Sequence, residues 1–195
     1  MTQAIQQSLR DKAWARWTVL ILIALTMFFA YMFVDVLSPL KSMLEKTAEE
    51  GGLGWSSTVF GTYGSSEFFL NVFFFFLIFA GIILDKMGVR FTAVLSGALM
   101  VLGALIKVYA LSTTFNNGGF GFELFNSFMP SMPPSAKLAC VGFMIFGCGC
   151  EMGGVTVSRA IVKWFEGKEM ALAMGLEMAV ARLGVFAVFR VSAPI

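Results

Sequence analysis

Apolar residues along the chain gather into five long runs, at about residues 17–40, 58–84, 91–111, 136–165 and 170–193. A helix needs about 20 mostly apolar residues to cross the hydrocarbon core of a bilayer, and each run is long enough. None alternates with a period of two, so helices are expected rather than barrel strands. The pattern predicts an all-α membrane protein with five transmembrane helices. Between the runs, "EKTAEEGGLGW" and "STTFNNGGFGFELFNSFMPSMPPS" are rich in Gly, Asn, Ser and Pro and read as loops. The other two connections are short and basic.

Composition agrees with a membrane location. The chain of 195 residues is 58% hydrophobic and only 13% charged, where a soluble domain carries about 25% charged residues. A formal net charge of +2 gives no footing for nucleic-acid binding. The first apolar run is too long for a signal-peptide core, so it is expected to remain as an anchor. Lys and Arg cluster in the N-terminal arm (Arg10, Lys12, Arg16), in the second connection (Lys86, Arg90) and in the fourth (Lys163, Lys168), against Lys41, Lys46 and Lys137 on the opposite side. The positive-inside rule therefore places the N-terminus and both basic turns in the cytoplasm. With no histidine and no C-x-x-C, a metal site is not expected. Cys140, Cys148 and Cys150 read as small core residues, and no motif calls for a cofactor or for enzymatic chemistry.

The second connection, "GIILDKMGVR", is organised. Gly81, Asp85, Lys86, Gly88 and Arg90 stand at the spacing G-x3-D-K-x-G-x-R, which resembles the loop signature of the major facilitator superfamily. Its last basic position is occupied here by Phe91. The glycines would let a helix end sharply and pack closely. Asp85 and the cations would pair with one another or with another helix terminus, forming a latch that breaks when the bundle rocks. A second set of residues sharpens the resemblance. "FGCGCE" (146–151), "WFEGKEMALAMGL" (164–176) and "ARLG" (181–184), with Tyr31 and Asp35 in the first run, are similar to the superfamily branch that includes a lysosomal dipeptide uniporter and bacterial relatives. Many facilitators carry an arginine early in the fourth helix where this chain has Phe143, which disfavours proton-coupled schemes that rely on it.

Charges inside a bilayer are costly and mark candidate sites. A dipeptide presents an ammonium and a carboxylate, which call for a fixed anion and a fixed cation on facing helices. Glu151 in the fourth run and Arg182 in the fifth match the branch's glutamate and arginine, and the resemblance implies that they contact the substrate's two termini. The alternative is that they pair only with each other. Glu67, Tyr31 and Asp35 are candidates for substrate or coupling-ion contact, and Asp35 also for an outer gate. Lys107 and Arg190, toward the outer ends of their runs, are expected to snorkel as anchors. Arg159 is expected as a gate or topology charge, and Glu177 as a partner in an interhelical pair. The glycines from Gly142 to Gly154 give the fourth helix a thin side for a helix or a peptide-sized solute.

Facilitators have two six-helix halves, each of two inverted three-helix repeats. The chain is thus expected to hold a cytoplasmic arm (residues 1–16) and an incomplete N-terminal six-helix bundle (residues 17–195), as an N-terminal fragment lacking the sixth helix and the C-terminal half. The expected function is alternating-access transport of a small solute, most readily a dipeptide or similar zwitterion, in the plasma membrane. Its expected partners are lipid, the solute and the missing half. A proton-coupled carrier of organic anions or sugars, and a non-transporting facilitator-like subunit, are the alternatives.

Overall fold

A computed structural model describes residue 9 and residues 11–192. The start of the N-terminal arm including Arg10, and Ala193 at the end of the fifth expected span, lie outside the described residues. The elements that position the site are α1 (Ala13–Val34), α2 (Ser57–Ser66), α3 (Phe69–Phe73), α4 (Phe76–Leu111), α5 (Pro134–Phe165) and α6 (Met170–Ser192). No strand occurs among the described residues.

By length and hydropathy four helices qualify as membrane spans: Ala13–Leu44, Phe76–Leu111, Pro134–Phe165 and Met170–Val191. The multiple apolar helices make this an integral membrane protein. The expected second span, 58–84, is not one helix. It is divided among α2, α3 and the head of α4, with interruptions at Glu67–Phe68 and Phe74–Phe75, where Phe75 sits at φ 51° in the left-handed region. A run of bulky aromatic side chains loses χ1 freedom in a helix and favours it weakly, so hydropathy alone does not keep "FFLNVFFFF" continuous.

Contacts with α5 fix the topology. Tyr63 stacks on Phe143, the Glu67 backbone lies against Gly147, and Asp85 reaches Arg159. Both series of numbers rise, so residues 57–87 run alongside α5 in its own direction. Lys107 covers Phe143, Gly103 faces Phe146, and Ser96 Oγ donates to the Gly149 carbonyl at 2.8 Å. Here one series rises as the other falls, so the later limb of α4 runs antiparallel to α5. The reversal falls at Gly88, whose φ of 80° and ψ of 170° interrupt the helix. Glycine reaches that conformation without the steric penalty of a side chain. "GIILDKMGVR" is therefore a turn. Gly81, expected to pack closely, has no neighbour within 4 Å of where a Cβ would stand.

α1 and α6 run parallel: Arg16 meets Glu169, Leu20 clusters with Ala173, and the Phe28 carbonyl lies against Gly184. α5 is the central helix, with 61% of its span buried against 22% for each of the other three. It starts at Pro134, a residue suited to the first turn because its missing N–H has no helical partner there. It stops before Gly167, at φ 70°. Most of its glycines are occupied by helices. A Cβ on Gly142 would come within 2.9 Å of the Gly103 carbonyl, and one on Gly149 within 2.7 Å of the Ser96 carbonyl. The thin side expected on this helix is thus where α4 and the α2–α3 break approach it.

The three basic segments share one end of the bundle. Lys168 Nζ donates to Asp11 at 2.7 Å, Arg16 Nη2 pairs with Glu169 at 3.4 Å, and Arg159 Nη2 pairs with Asp85 at 3.7 Å. The Arg16 guanidinium also lies 5.9 Å from the Phe165 ring centre. At the other end Trp55 Nε1 donates to Ser135 Oγ at 3.0 Å, and Lys137 Nζ donates to the carbonyls of Phe125 and Phe128.

Candidate functional site

The parallel pairing of α1 and α6 brings Arg182 to Tyr31, with the guanidinium carbon 5.2 Å from the ring centre. Glu151 on α5 and Glu177 on α6 act electrostatically on the same Tyr31 hydroxyl. Arg182 is exposed, and Tyr31 and Glu151 are half-buried. No ion pair joins Glu151 to Arg182 among the described residues, so the alternative in which they only neutralise each other is not the arrangement seen here. Glu177 is buried, and the interhelical ion pair expected for it is absent among the described residues.

A second group adjoins the first. Glu67, at the break after α2, is 6% exposed and lies within electrostatic reach of Glu151, Lys107 and Asp35. Asp35 follows α1, where its carboxylate accepts from Ser38 Oγ at 3.1 Å, so it also closes the turn that ends the helix. Lys107 corrects the sequence reading. It does not snorkel: it is 3% exposed, and its ammonium donates to the Phe33 carbonyl at 3.1 Å. It also lies 4.6 and 4.4 Å from the ring centres of Phe143 and Phe146. The close approach at Gly103 and Gly142 turns this face of α4 inward, and two aromatic faces with a helix-end carbonyl replace water around the cation. Phe143 stands where many facilitators have an arginine. A cation is nonetheless present at that level, supplied by α4. A lysine four residues after a glycine in an apolar run was the available signal. Arg190 is exposed, with its guanidinium 5.6 Å from the Phe186 ring on its own helix.

In the turn, Asp85 pairs with Arg159 of α5, whereas Lys86 and Arg90 are exposed and make no ion pair among the described residues. The latch is therefore narrower than expected: one carboxylate and one arginine from another helix, not the loop's own cations. Outside the membrane spans, Glu169 is held below the ordinary carboxylate range by a hydrogen bond from its own backbone N–H, with the Arg16 charge adding to it.

A cavity of about 520 Å³ lies elsewhere, between α2–α3 and α5, lined by residues such as Phe69, Phe73, Met129, Met132 and Met144. None of Tyr31, Glu151 and Arg182 lines it, so its size does not bear on that cluster. No group of three His, Cys, Asp or Glu side chains suited to a metal occurs among the described residues.

Intramembrane charges thus converge from four helices, with a glycine-hinged basic turn at one end of the bundle. The chain is 31% identical over 107 residues to the lysosomal dipeptide transporter MFSD1 of Homo sapiens, covering 54% of this chain and 19% of the relative. The MFSD1 of Danio rerio is 32% identical over 115 residues, or 58% of the chain and 20% of that relative. For Bos taurus the figures are 31% over 107 residues, 54% and 19%. The similarity is to the major facilitator superfamily. The chain matches about a fifth of the length of these curated relatives. They are transporters and not enzymes, and their names place them in the lysosome, so they lend no support to a plasma-membrane location. No family model and no solved structure matches the chain.

Proposed function

We propose that this chain forms part of an alternating-access transporter for a small zwitterion, with a dipeptide as the reading favoured by the relatives' name. The observation that carries it is the Tyr31–Arg182–Glu151 cluster. Arg182 is exposed and held over an aromatic ring rather than neutralised by an acid, which leaves its planar fork free to take a carboxylate in two parallel hydrogen bonds. Glu151, on the facing helix, is the counterpart for an ammonium. In this reading the basic end of the bundle is cytoplasmic, the Asp85–Arg159 pair breaks and re-forms as the bundle rocks, and the rest of the site comes from the other half of a longer transporter.

Uptake of a labelled dipeptide into proteoliposomes by the full-length protein tests the proposal. Glu151→Gln and Arg182→Ala are each expected to abolish uptake while the purified yield stays unchanged. Undiminished uptake in both variants would remove the clamp from the mechanism.

A further inference from the structure

The cavity of about 520 Å³ between α2–α3 and α5 has a directional shape. On α5 its wall is the stripe Lys137, Cys140, Val141 and Met144, at i, i+3, i+4 and i+7 of one helix face. Seven helical residues extend about 10 Å, and a hydrocarbon core of about 30 Å gives each leaflet roughly 15 Å. The second span runs alongside α5 in the same direction, and Ser65, Phe69 and Phe73 carry the facing wall past its break. The cavity is thus a slot parallel to α5, as lipid chains are to a membrane span. Phe69, Phe73 and Val141 are exposed on the bundle surface, so the slot opens sideways to the bilayer.

Its lining is apolar apart from three hydroxyls and one cation. Thr62, Ser65 and Ser66 donate to carbonyls of their own helix, those of Thr58, Gly61 and Tyr63, so they call for no polar ligand. Lys137 differs. It lies in the first turns of α5, at the end of the bundle opposite the basic turns, and is 6% exposed. Two of its three ammonium donors go to the carbonyls of Phe125 and Phe128, and the Phe128 ring centre is 4.7 Å away. Those contacts replace water but leave the charge unbalanced. Lys137 makes no ion pair among the described residues, and Glu123, the acid of that loop, is exposed. A buried charge without a counter-charge is costly, and the positive N-terminal end of α5 adds to this one rather than offsetting it.

We propose that the slot binds an anionic phospholipid of the surrounding bilayer, with one acyl chain along Phe69, Val141 and Met144 and the phosphate at Lys137. Lysine takes a phosphate as a point charge. Because the slot opens sideways, the second chain stays in the bilayer.

The slot stands apart from the Tyr31–Arg182–Glu151 cluster, so its test needs no transported solute. The full-length protein in phosphatidylcholine nanodiscs is exposed to phosphatidylglycerol or phosphatidylcholine carrying a photoactivatable diazirine in one chain, and the crosslinked peptides are identified by mass spectrometry. The phosphatidylglycerol probe should label residues 65–73 and 137–144 well above the phosphatidylcholine probe, and excess unlabelled phosphatidylglycerol should displace it. Lys137→Gln should bring its labelling down to the phosphatidylcholine level, and Lys137→Arg should keep it high. Val141→Trp fills the slot from an exposed position and leaves Lys137 in place, so it should remove the labelling even if Lys137→Gln does not fold. Equal labelling by the two probes in the parent, or labelling that persists in Val141→Trp, overturns the site. Displacement of the probe by oleate and not by phosphatidylglycerol would overturn the phospholipid in favour of a free fatty acid.

Discussion

Substituting Gly103 with alanine should loosen the bundle at the contact that orients Lys107. A Cβ there would stand 2.5 Å from the Gly142 carbonyl, 2.5 Å from the Phe146 backbone nitrogen and 2.7 Å from Phe146 Cβ. All three are main-chain atoms or rigidly attached to it, so relief requires α4 and α5 to separate. Forcing one extra carbon into a packed interface costs about 1–3 kcal/mol, and for a chain of this size each kcal/mol moves the melting temperature by roughly 2–4 °C. A fall of about 2–12 °C is therefore expected in thermal unfolding of the detergent-purified protein. Gly97, on the same limb of α4, has nothing within 4 Å of its Cβ direction. Gly97→Ala should raise stability by up to about 1 kcal/mol, the usual helix-propensity gain over glycine. The contrast isolates packing from propensity, and equal melting temperatures for the two variants would refute the close crossing.

Three other outcomes follow from the geometry. Asp85 and Arg159 are exposed, and such pairs contribute about 0–1 kcal/mol. Asp85→Asn should therefore leave the melting temperature nearly unchanged yet alter the transport rate, and exchanging the two charges should restore the rate. At the same end, the Glu169 carboxyl is depressed, so its contribution to the clasp with Arg16 is present above the ordinary carboxylate range and is lost as pH falls through its lowered value. Spin-label distances between the arm and the α5–α6 connection should lengthen on acidification in the parent, and Glu169→Gln should be long at every pH. Ser56 caps α2 by accepting the Val59 N–H at 3.2 Å, so Ser56→Ala should cost about 1 kcal/mol in denaturation.

The all-helical character was legible because apolar runs of span length leave a backbone no other way to satisfy itself in lipid. The turn at Gly88 was legible for a similar reason, since charge and glycine coincide there. The breaks at Glu67–Phe68 and Phe74–Phe75 were not, because hydropathy rates "EFFLNVFFFF" by its apolar content and is blind to backbone torsions such as that of Phe75. Lys107 was misread because linear distance from a run's end says nothing about which face a helix turns inward, and the Gly103–Gly142 crossing decides that. Glu151 and Arg182 could be nominated as intramembrane charges of opposite sign, and Tyr31 as a candidate beside them, but the contact in which Tyr31 of α1, in place of an acid, holds Arg182 of α6 emerges only from the parallel packing of those helices.

The most direct test of the clamp compares uptake of a dipeptide with that of its N-acetyl and C-amide derivatives, in the full-length protein and in the Glu151→Gln and Arg182→Ala variants. The account predicts that the parent rejects both derivatives, that Glu151→Gln no longer distinguishes the free from the acetylated amine, and that Arg182→Ala no longer distinguishes carboxylate from amide. A parent that carries both derivatives as well as the free dipeptide would contradict recognition of the two charged termini by Glu151 and Arg182.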